Sequence, residues 1–582
     1  MLKQGSPAPL RRGIVKLWFA LDAVVALAPP LYWAADGRTA PIAGIPIALF
    51  YFLAVSLCIT ASLVAAYLLD AADQGERGMI ITFGLLALFF AAVVWVLQRN
   101  RTVDQSFTDY AVGGRSFGAR YQAMSFLNTW YPGSMFTAFG ALSVTAGVMS
   151  FYVLSYSLLT VVLLFVLARP VWIWGKAYDL RTQGDLFALR YGSHHIRTVA
   201  ALIGIVSGLP WLVLGMQALG NLFQAMSLGV LSFSSSVILG VLVIAIRQIW
   251  TVRMGMRGVV ISDYLQGIVA YVGGGLMLIG LIVWLVVVKG STLATLDPKM
   301  FAIPSFGSKE GPLYLFALIF TGALGGWCWP YIFVRLFTAD GVHSLKKSAA
   351  LAVPLTFLFG VALLIFGMLA SKVPEAVAKP DDVWFIVSQQ AGGLVLLGLA
   401  GVVLLAASMG HTDGNIQAYG TQLANDLVGN YVELDQKRMI VIAKVGMLLL
   451  TLLASWLATL TLPALFSLAV LAYQGIIQLS VPQFLGIFWK GGNRQGAFAG
   501  MILGFVTAIG LEIAYGGLLP FGYGLTSGCF GLVINLIVYV ACAYWLPHSA
   551  EERQRIEDLF AIVRARRVMQ VGSGSQAQPA LA

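Results

Sequence analysis

Two stretches of this chain put hydrogen-bonding groups where a membrane offers only hydrocarbon. The first, YQAMSFLNTWYPGSMFTAFGALSVTAG from Tyr121 to Gly147, is long and apolar enough to cross a bilayer. Its middle holds Asn128, Thr129, Pro132 and Gly133; proline removes an N–H and glycine weakens the helix around it. The second, LYLFALIFTGALGGWCWPYIFVRLF from Leu313 to Phe337, is interrupted at Gly325-Gly326 and at Pro330. Backbone groups freed at such breaks survive in a membrane where they line a cavity or are buried in protein. Freed carbonyls can hold a cation, and freed N–H groups at the positive end of a half-helix can hold an anion. Neither break contains Asp, Glu, Lys or Arg, which suits a carboxylate bound without a charged partner. A pair of Gly/Pro-broken spans in corresponding positions of two halves points to the binding site of a secondary transporter. The competing reading is two proline-kinked helices that only pack. A third apolar stretch carries His411 and Asp413. An intramembrane histidine is by default a proton relay, the alternative being a neutral imidazole hydrogen-bonded across helices.

The elements that position these groups must themselves be membrane helices. Of 582 residues 59% are hydrophobic and 10% charged, with a mean hydropathy of +0.85, which excludes an ordinary soluble domain. The sixty-three glycines fit close helix packing in lipid. The net charge of +11 comes from basic residues in short loops and does not indicate nucleic-acid binding. Cys58, Cys328, Cys529 and Cys542 lie in apolar segments without CxxC spacing, as packing or pocket-lining residues. With no metal cluster, nucleophile–base pair or phosphate loop in the sequence, an enzyme is not expected, and neither is a cofactor.

Spans are expected at about 79–97, 121–147, 150–168, 196–222, 232–249, 259–288, 313–337, 348–371, 393–426, 439–460, 464–488, 496–515 and 523–545. The N-terminal residues 1–78 are expected to form a membrane hairpin extension. Their second span falls at 42–69; the first, interrupted by Asp22, either spans or lies in the interface near Pro29-Pro30. The total is about 14–15 transmembrane segments. After Pro547 an amphipathic, charged helix leads into GSGSQAQPALA, too small and polar to fold. Alternate loops carry Arg115, Arg120, Arg169, Arg181, Arg197, Arg253, Lys346, Lys437 and Lys490, whereas the opposite loops hold Lys289, Lys299, Lys309, Lys372 and Lys379. The positive-inside rule therefore places the C-terminus in the cytoplasm of a plasma membrane, here a bacterial inner membrane.

FTDYAVGGRSFG (Phe107–Gly118), RMGMRGVVISDYLQG (Arg253–Gly267) and GIFWKGGNRQGAFAGMILG (Gly486–Gly504) occur in the order found in the sodium/solute symporter family, which the chain resembles over about 79–545. Departures stand at Gly491, where a basic residue is usual, and at Met254, where the family loop has glycine. The resemblance implies an all-α polytopic membrane protein with a LeuT-type 5+5 inverted repeat and peripheral helices. The repeats would cover about 121–288 and 313–488, with a cytoplasmic tail at 546–582. The extension 1–78 resembles a small two-helix accessory membrane protein.

The resemblance also implies site residues. Tyr331, in the YIxxR run ending at Arg335, matches a tyrosine that closes over substrate in sugar-transporting relatives; the alternative is a packing tyrosine. Cys328 stands where those relatives have a polar sugar-binding residue, and Met135 replaces another. With Trp130, Tyr131, Trp327 and Trp329 at the breaks, the pocket reads as too dry for a sugar. Asn128, Thr129, Trp130, Tyr131, Trp327, Cys328, Tyr331 and Gln474 are the expected solute-binding residues. Gln474 and Gln478 also fit glutamines facing a water-filled lumen.

In the family a sodium ion lies between carbonyls of the first break and two hydroxyl residues on the eighth core helix. Counting back from the matched Asp426 puts Gly410-His411 at that pair, so both hydroxyls are missing. Backbone carbonyls of Asn128, Tyr131 and Ala407 remain as sodium ligands, and Ser408, Thr412 or Asp413 could supply oxygen if the register slips. Gly410, His411, Asp413 and the matched Asp263 complete the expected ion-coupling set. The expected function is secondary active symport of a small organic solute, an organic anion such as a monocarboxylate or an amino acid. The driving ion is sodium or the proton. The alternative is a transporter-like substrate sensor, since such modules also occur fused to signalling kinases; roughly thirty-five residues after the last span leave no room for a kinase domain.

Overall fold

Proline sets the shape of both unusual spans. A residue before proline is pushed out of the helical region, and proline itself is well tolerated as the first residue of a new helix. Accordingly Ala119–Trp130 ends at Tyr131, which is extended (φ −104°, ψ 92°) before Pro132, and helix resumes through Met135–Phe139 and Gly140–Ala146. In the second span, Tyr314–Gly325 and Gly326–Cys328 end at Trp329 (φ −67°, ψ 121°), after which Pro330–Phe333 and Arg335–Thr338 begin at an angle of 59°. Each break therefore falls at an aromatic-proline pair. Asn128, Thr129, Gly325 and Gly326 stay helical and lead into it.

The computed structural model describes residues 74–100, 106–460, 465–517 and 519–575, and in the N-terminal part 9–27, 41–42, 45–46, 51, 54, 55 and 58. The chain divides into two units, Met1–Gly84 and Leu85–Ala582. In the first, Pro9–Leu27 is helical and Pro41–Ile42 pairs with Ile45–Pro46 in a short antiparallel ladder. The expected span at 42–69 lies for the most part outside the described residues.

The second unit is a helical membrane bundle. Eleven helices among the described residues are long and apolar enough to cross a membrane, or twelve with the bent pair Tyr314–Cys328 and Pro330–Thr338 counted as one span. From residue 79 on thirteen were expected, and the difference of one arises because Ala119–Trp130 is too short to count alone and the half after the first break runs on into the next span as one stretch, Met135–Ala177. Of the one or two further spans expected in 1–78, the apolar helix Leu17–Leu27 is too short to count and 42–69 lies for the most part outside the described residues. At its turn Gly147 (φ +55°) packs so tightly that an added Cβ would come within 2.1 Å of the Met300 carbonyl oxygen.

Around the broken spans stand Tyr152–Ala177, His194–Met226, Phe233–Met254, Met256–Gly267, Val342–Ala370 and Val383–Gln422. The loop before the first broken span meets the end of the second: the Phe117 N–H donates to the Thr338 carbonyl (3.2 Å) and the Asp340 N–H to that of Phe117 (3.1 Å). The tail helix Ala550–Ser575 is docked rather than free, and runs four residues into the Gly-Ser stretch expected not to fold. The Trp174 indole donates to the Leu559 carbonyl (2.8 Å), Glu552 accepts from the Arg494 N–H (2.9 Å), and Lys490 pairs with Glu557 (2.5 Å).

Candidate binding site at the helix breaks

A helix that stops leaves its last carbonyls without intrahelical donors. Pro132 has no N–H to give the Asn128 carbonyl. The Thr129 carbonyl accepts from His411 Nδ1 (2.8 Å), and the Tyr131 carbonyl from the Tyr271 hydroxyl (2.5 Å). At the second break, Gln483 donates to the Trp327 carbonyl (2.8 Å) and Gln183 to that of Cys328 (2.9 Å), with the two glutamines joined at 2.6 Å. Neither glutamine was among the expected site residues, because their role depends on a distant backbone.

Beside the first break lies a buried charge network. Asp263, fully buried, accepts from Ser125 Oγ (2.7 Å) and Asn128 Nδ2 (3.1 Å). Arg335 Nη2 stands 3.3 Å from Asp263 and donates to Thr129 Oγ1 (2.8 Å). Arg247 pairs with Asp413 and donates to Ser262 Oγ (2.6 Å). Charges inside a membrane protein persist when paired in this way, and removing one partner strands the other.

Val383–Gln422 turns a different residue toward each neighbour. Gly410 faces Asn128, Gly414 faces Arg335 and Thr129, and Thr412 faces Gly215. Ser408 faces Gly133 so closely that a Cβ there would fall 1.9 Å from its hydroxyl. The hydroxyls of Ser408 and Ser134 are buried with no hydrogen-bond partner among the described residues. Of the expected ion-coupling residues, Asn128, Gly410 and Asp263 are thus brought together, whereas Asp413 is committed to Arg247.

His411 belongs to a ring of aromatics. Trp211 to His411, His411 to Tyr331, Tyr331 to Trp329 and Trp329 back to Trp211 are 6.0, 5.4, 5.9 and 6.3 Å between ring centroids. Tyr473 adjoins Trp329 (5.3 Å) and Tyr419 adjoins Tyr331 (6.0 Å). Through His411 and the Thr129 carbonyl the ring joins the second break to the first. Trp211, Tyr419 and Tyr473 sit in apolar helical sequence, where nothing separates a pocket aromatic from a packing one.

Other expected residues face elsewhere. The Trp130 indole donates to Ser157 (3.0 Å) and that of Trp327 to the Thr160 carbonyl (2.7 Å), both toward Tyr152–Ala177. Cys328 is buried, its Sγ 3.5 Å from the Leu324 carbonyl. Gln474 accepts from the Gly528 N–H (2.7 Å), and Gln478 donates to the Gly528 carbonyl (3.1 Å), so both turn to the last span. Among the described residues no cluster of three His, Cys, Asp or Glu could hold a metal.

The Sodium:solute symporter family profile matches residues 110–504. The chain belongs to that family. Its relatives include the uncharacterized symporter YodF of Bacillus subtilis (strain 168), 22% identical over 84% of this chain and 97% of the relative. The osmoregulated proline transporter OpuE of the same organism is 23% identical over 74% of this chain and 88% of the relative. A Na+-coupled sialic acid symporter, solved substrate-bound and outward-open, superposes with a TM-score of 0.66 at 17% identity, over 82% of this chain and 99% of that one. The fold is the LeuT type, as expected, and this symporter is a multi-pass membrane transporter of a small solute coupled to an ion.

Proposed function

We propose that this symporter carries a small carboxylate-bearing solute, bound between the two breaks and driven by a sodium gradient. The observation that carries the reading is the meeting of both broken helices at His411, which holds the Thr129 carbonyl of the first and packs on Tyr331 of the second. Tyr331 follows Pro330 at the start of a new helical turn, where its N–H has no intrahelical acceptor. The solutes named for the relatives, proline and sialic acid, both carry a carboxylate. For sodium, the hydroxyls missing at positions 410 and 411 are replaced in this reading by that of Ser408, which faces Gly133, and the Ser134 hydroxyl and the Asn128 carbonyl are further oxygens of the first break. Oxygen donors of this kind suit a hard cation.

We further assign 1–78 to a membrane extension, 79–545 to the transport domain with repeats at about 121–288 and 313–488, and 546–582 to a tail in the cytoplasm of a bacterial inner membrane. The test is uptake of radiolabelled L-proline and L-lactate into proteoliposomes under separate sodium and proton gradients. Sodium-driven accumulation that is lost in Ser408→Ala supports the reading. Accumulation on a proton gradient alone, abolished by His411→Ala, assigns coupling to the proton instead. No carboxylate uptake under either gradient overturns the substrate class.

A further inference from the structure

We infer that the aromatic ring reads a hydrogen-bond donor on the solute, and that His411 Nε2 is the atom that reads it. The inference rests on the carboxylate reading above and narrows it to acids bearing an O–H or N–H on the carbon beside the carboxylate.

The argument begins with the tautomer. His411 Nδ1 is 2.8 Å from the Thr129 carbonyl oxygen. A carbonyl oxygen has lone pairs and no proton, so the hydrogen lies on Nδ1. In the neutral ring Nε2 is then an acceptor that needs a donor. His411 is 1% exposed, and Nε2 has no hydrogen-bond partner among the described residues. The carboxylates of the neighbouring network are held elsewhere, Asp263 by Arg335 and Asp413 by Arg247, and among the described residues the rings against His411 are Trp211 and Tyr331.

Two more buried polar atoms at the same ring system lack partners, Trp211 Nε1 and the Tyr419 hydroxyl. An indole N–H can only donate, so it calls for an acceptor such as a carboxylate oxygen. A lone unpartnered atom can be a packing accident. One acceptor and two donors around a ring built from both halves of the molecule form a pattern with a complement. That complement is a solute presenting a carboxylate to the Trp211 indole N–H and the Tyr419 hydroxyl, and a donor to His411 Nε2. An ammonium donor gains further from the aromatic faces, through the ring quadrupole. A plain monocarboxylate leaves Nε2 unpaired, and a buried unpaired acceptor costs more than a formed bond contributes. The rings pack on one another here, so a solute enters by parting them.

The experiment is a competition panel with the purified wild-type protein in proteoliposomes. Propionate, L-lactate and L-alanine share a three-carbon skeleton and differ only in the group beside the carboxylate. Half-inhibition of labelled uptake should come at concentrations at least about tenfold lower for lactate or alanine than for propionate. In His411→Phe the three should converge, while in Trp211→Phe all three weaken together and keep their order. Equal potency of propionate in the wild type overturns the inference and leaves the carboxylate reading standing. Retained discrimination in His411→Phe also overturns it. If no carboxylate competes at all, both readings fall. Because the wild-type panel is decisive by itself, a variant that fails to fold does not shelter the inference.

Discussion

The Asn128 carboxamide occupies the space that a side chain at residue 410 would need: a Cβ built on Gly410 would come within 1.6 Å of Asn128 Nδ2 and 2.8 Å of Asp263 Oδ1. Gly410 is therefore the counterpart of Asn128, and the polar group that faces this part of the first broken helix comes from that helix itself. Gly410→Ala should lower uptake at least about tenfold, as overpacking of a tight contact does. In the background of Asn128→Ala the same change should add nothing. Additive losses in the double mutant, measured as initial uptake rates, would show that the two residues are not in contact.

Tyr331 is buried in the aromatic ring against His411, Trp329 and Tyr419. Tyr331→Ala is expected to raise the KM for uptake several-fold and to speed leakage of preloaded solute, with membrane expression unchanged, because an occluding group gates release. Wild-type kinetics in the variant would leave Tyr331 a packing residue.

Sidedness follows from where the basic loops fall. With single cysteines introduced at Ser549 and at Lys379, an impermeant thiol reagent applied to intact cells should modify position 379 and spare 549. The reverse pattern would invert the proposed topology.

In the loop after Tyr152–Ala177, burial raises the Asp179 pKa, but hydrogen bonds from Thr108 and Arg181 and the charges of Arg181 and Arg115 outweigh it, and the carboxyl is held below 3.8. A group whose folded pKa is depressed contributes stability above its unfolded value and loses it as pH falls through the folded one. Stability from this cluster should thus be flat from about pH 5 to 8 and lost below about pH 4. The carboxylate is half exposed, so Asp179→Asn should lower the unfolding midpoint by about 1 °C at neutral pH. The difference should shrink as pH falls below about 4, as followed by intrinsic fluorescence in detergent. A gap that persists at low pH would place the effect outside charge pairing.

Some of this architecture is written locally and some is not. Pro132 and Pro330 act on the residue before them wherever they occur, so both breaks are legible, although Asn128 and Gly325 mark the approach and Tyr131 and Trp329 the break itself. Span positions follow from apolar length in the same way. The rotation of Val383–Gln422 is set by its neighbours and has no local signal, which is why Ser408, and not position 410 or 411, brings a hydroxyl to the first broken helix. Gln474 looks like a pocket glutamine until Gly528 is beside it. Trp211 and Tyr419 look like core residues until their unpaired N–H and O–H are seen at a shared ring.

The docked tail bridges two separate parts of the molecule. Leu559 is tied to Trp174, in a helix that packs against the second broken span and meets Trp130 of the first, while Glu552 and Glu557 are tied to Arg494 and Lys490, which flank the start of a peripheral helix. If transport shifts these two parts relative to one another, a splint between them must slide or let go on each cycle. Hydrogen exchange along Ala550–Phe560 would then quicken during turnover and slow when the transporter is trapped, giving a readout of the working cycle from a segment that never meets the solute.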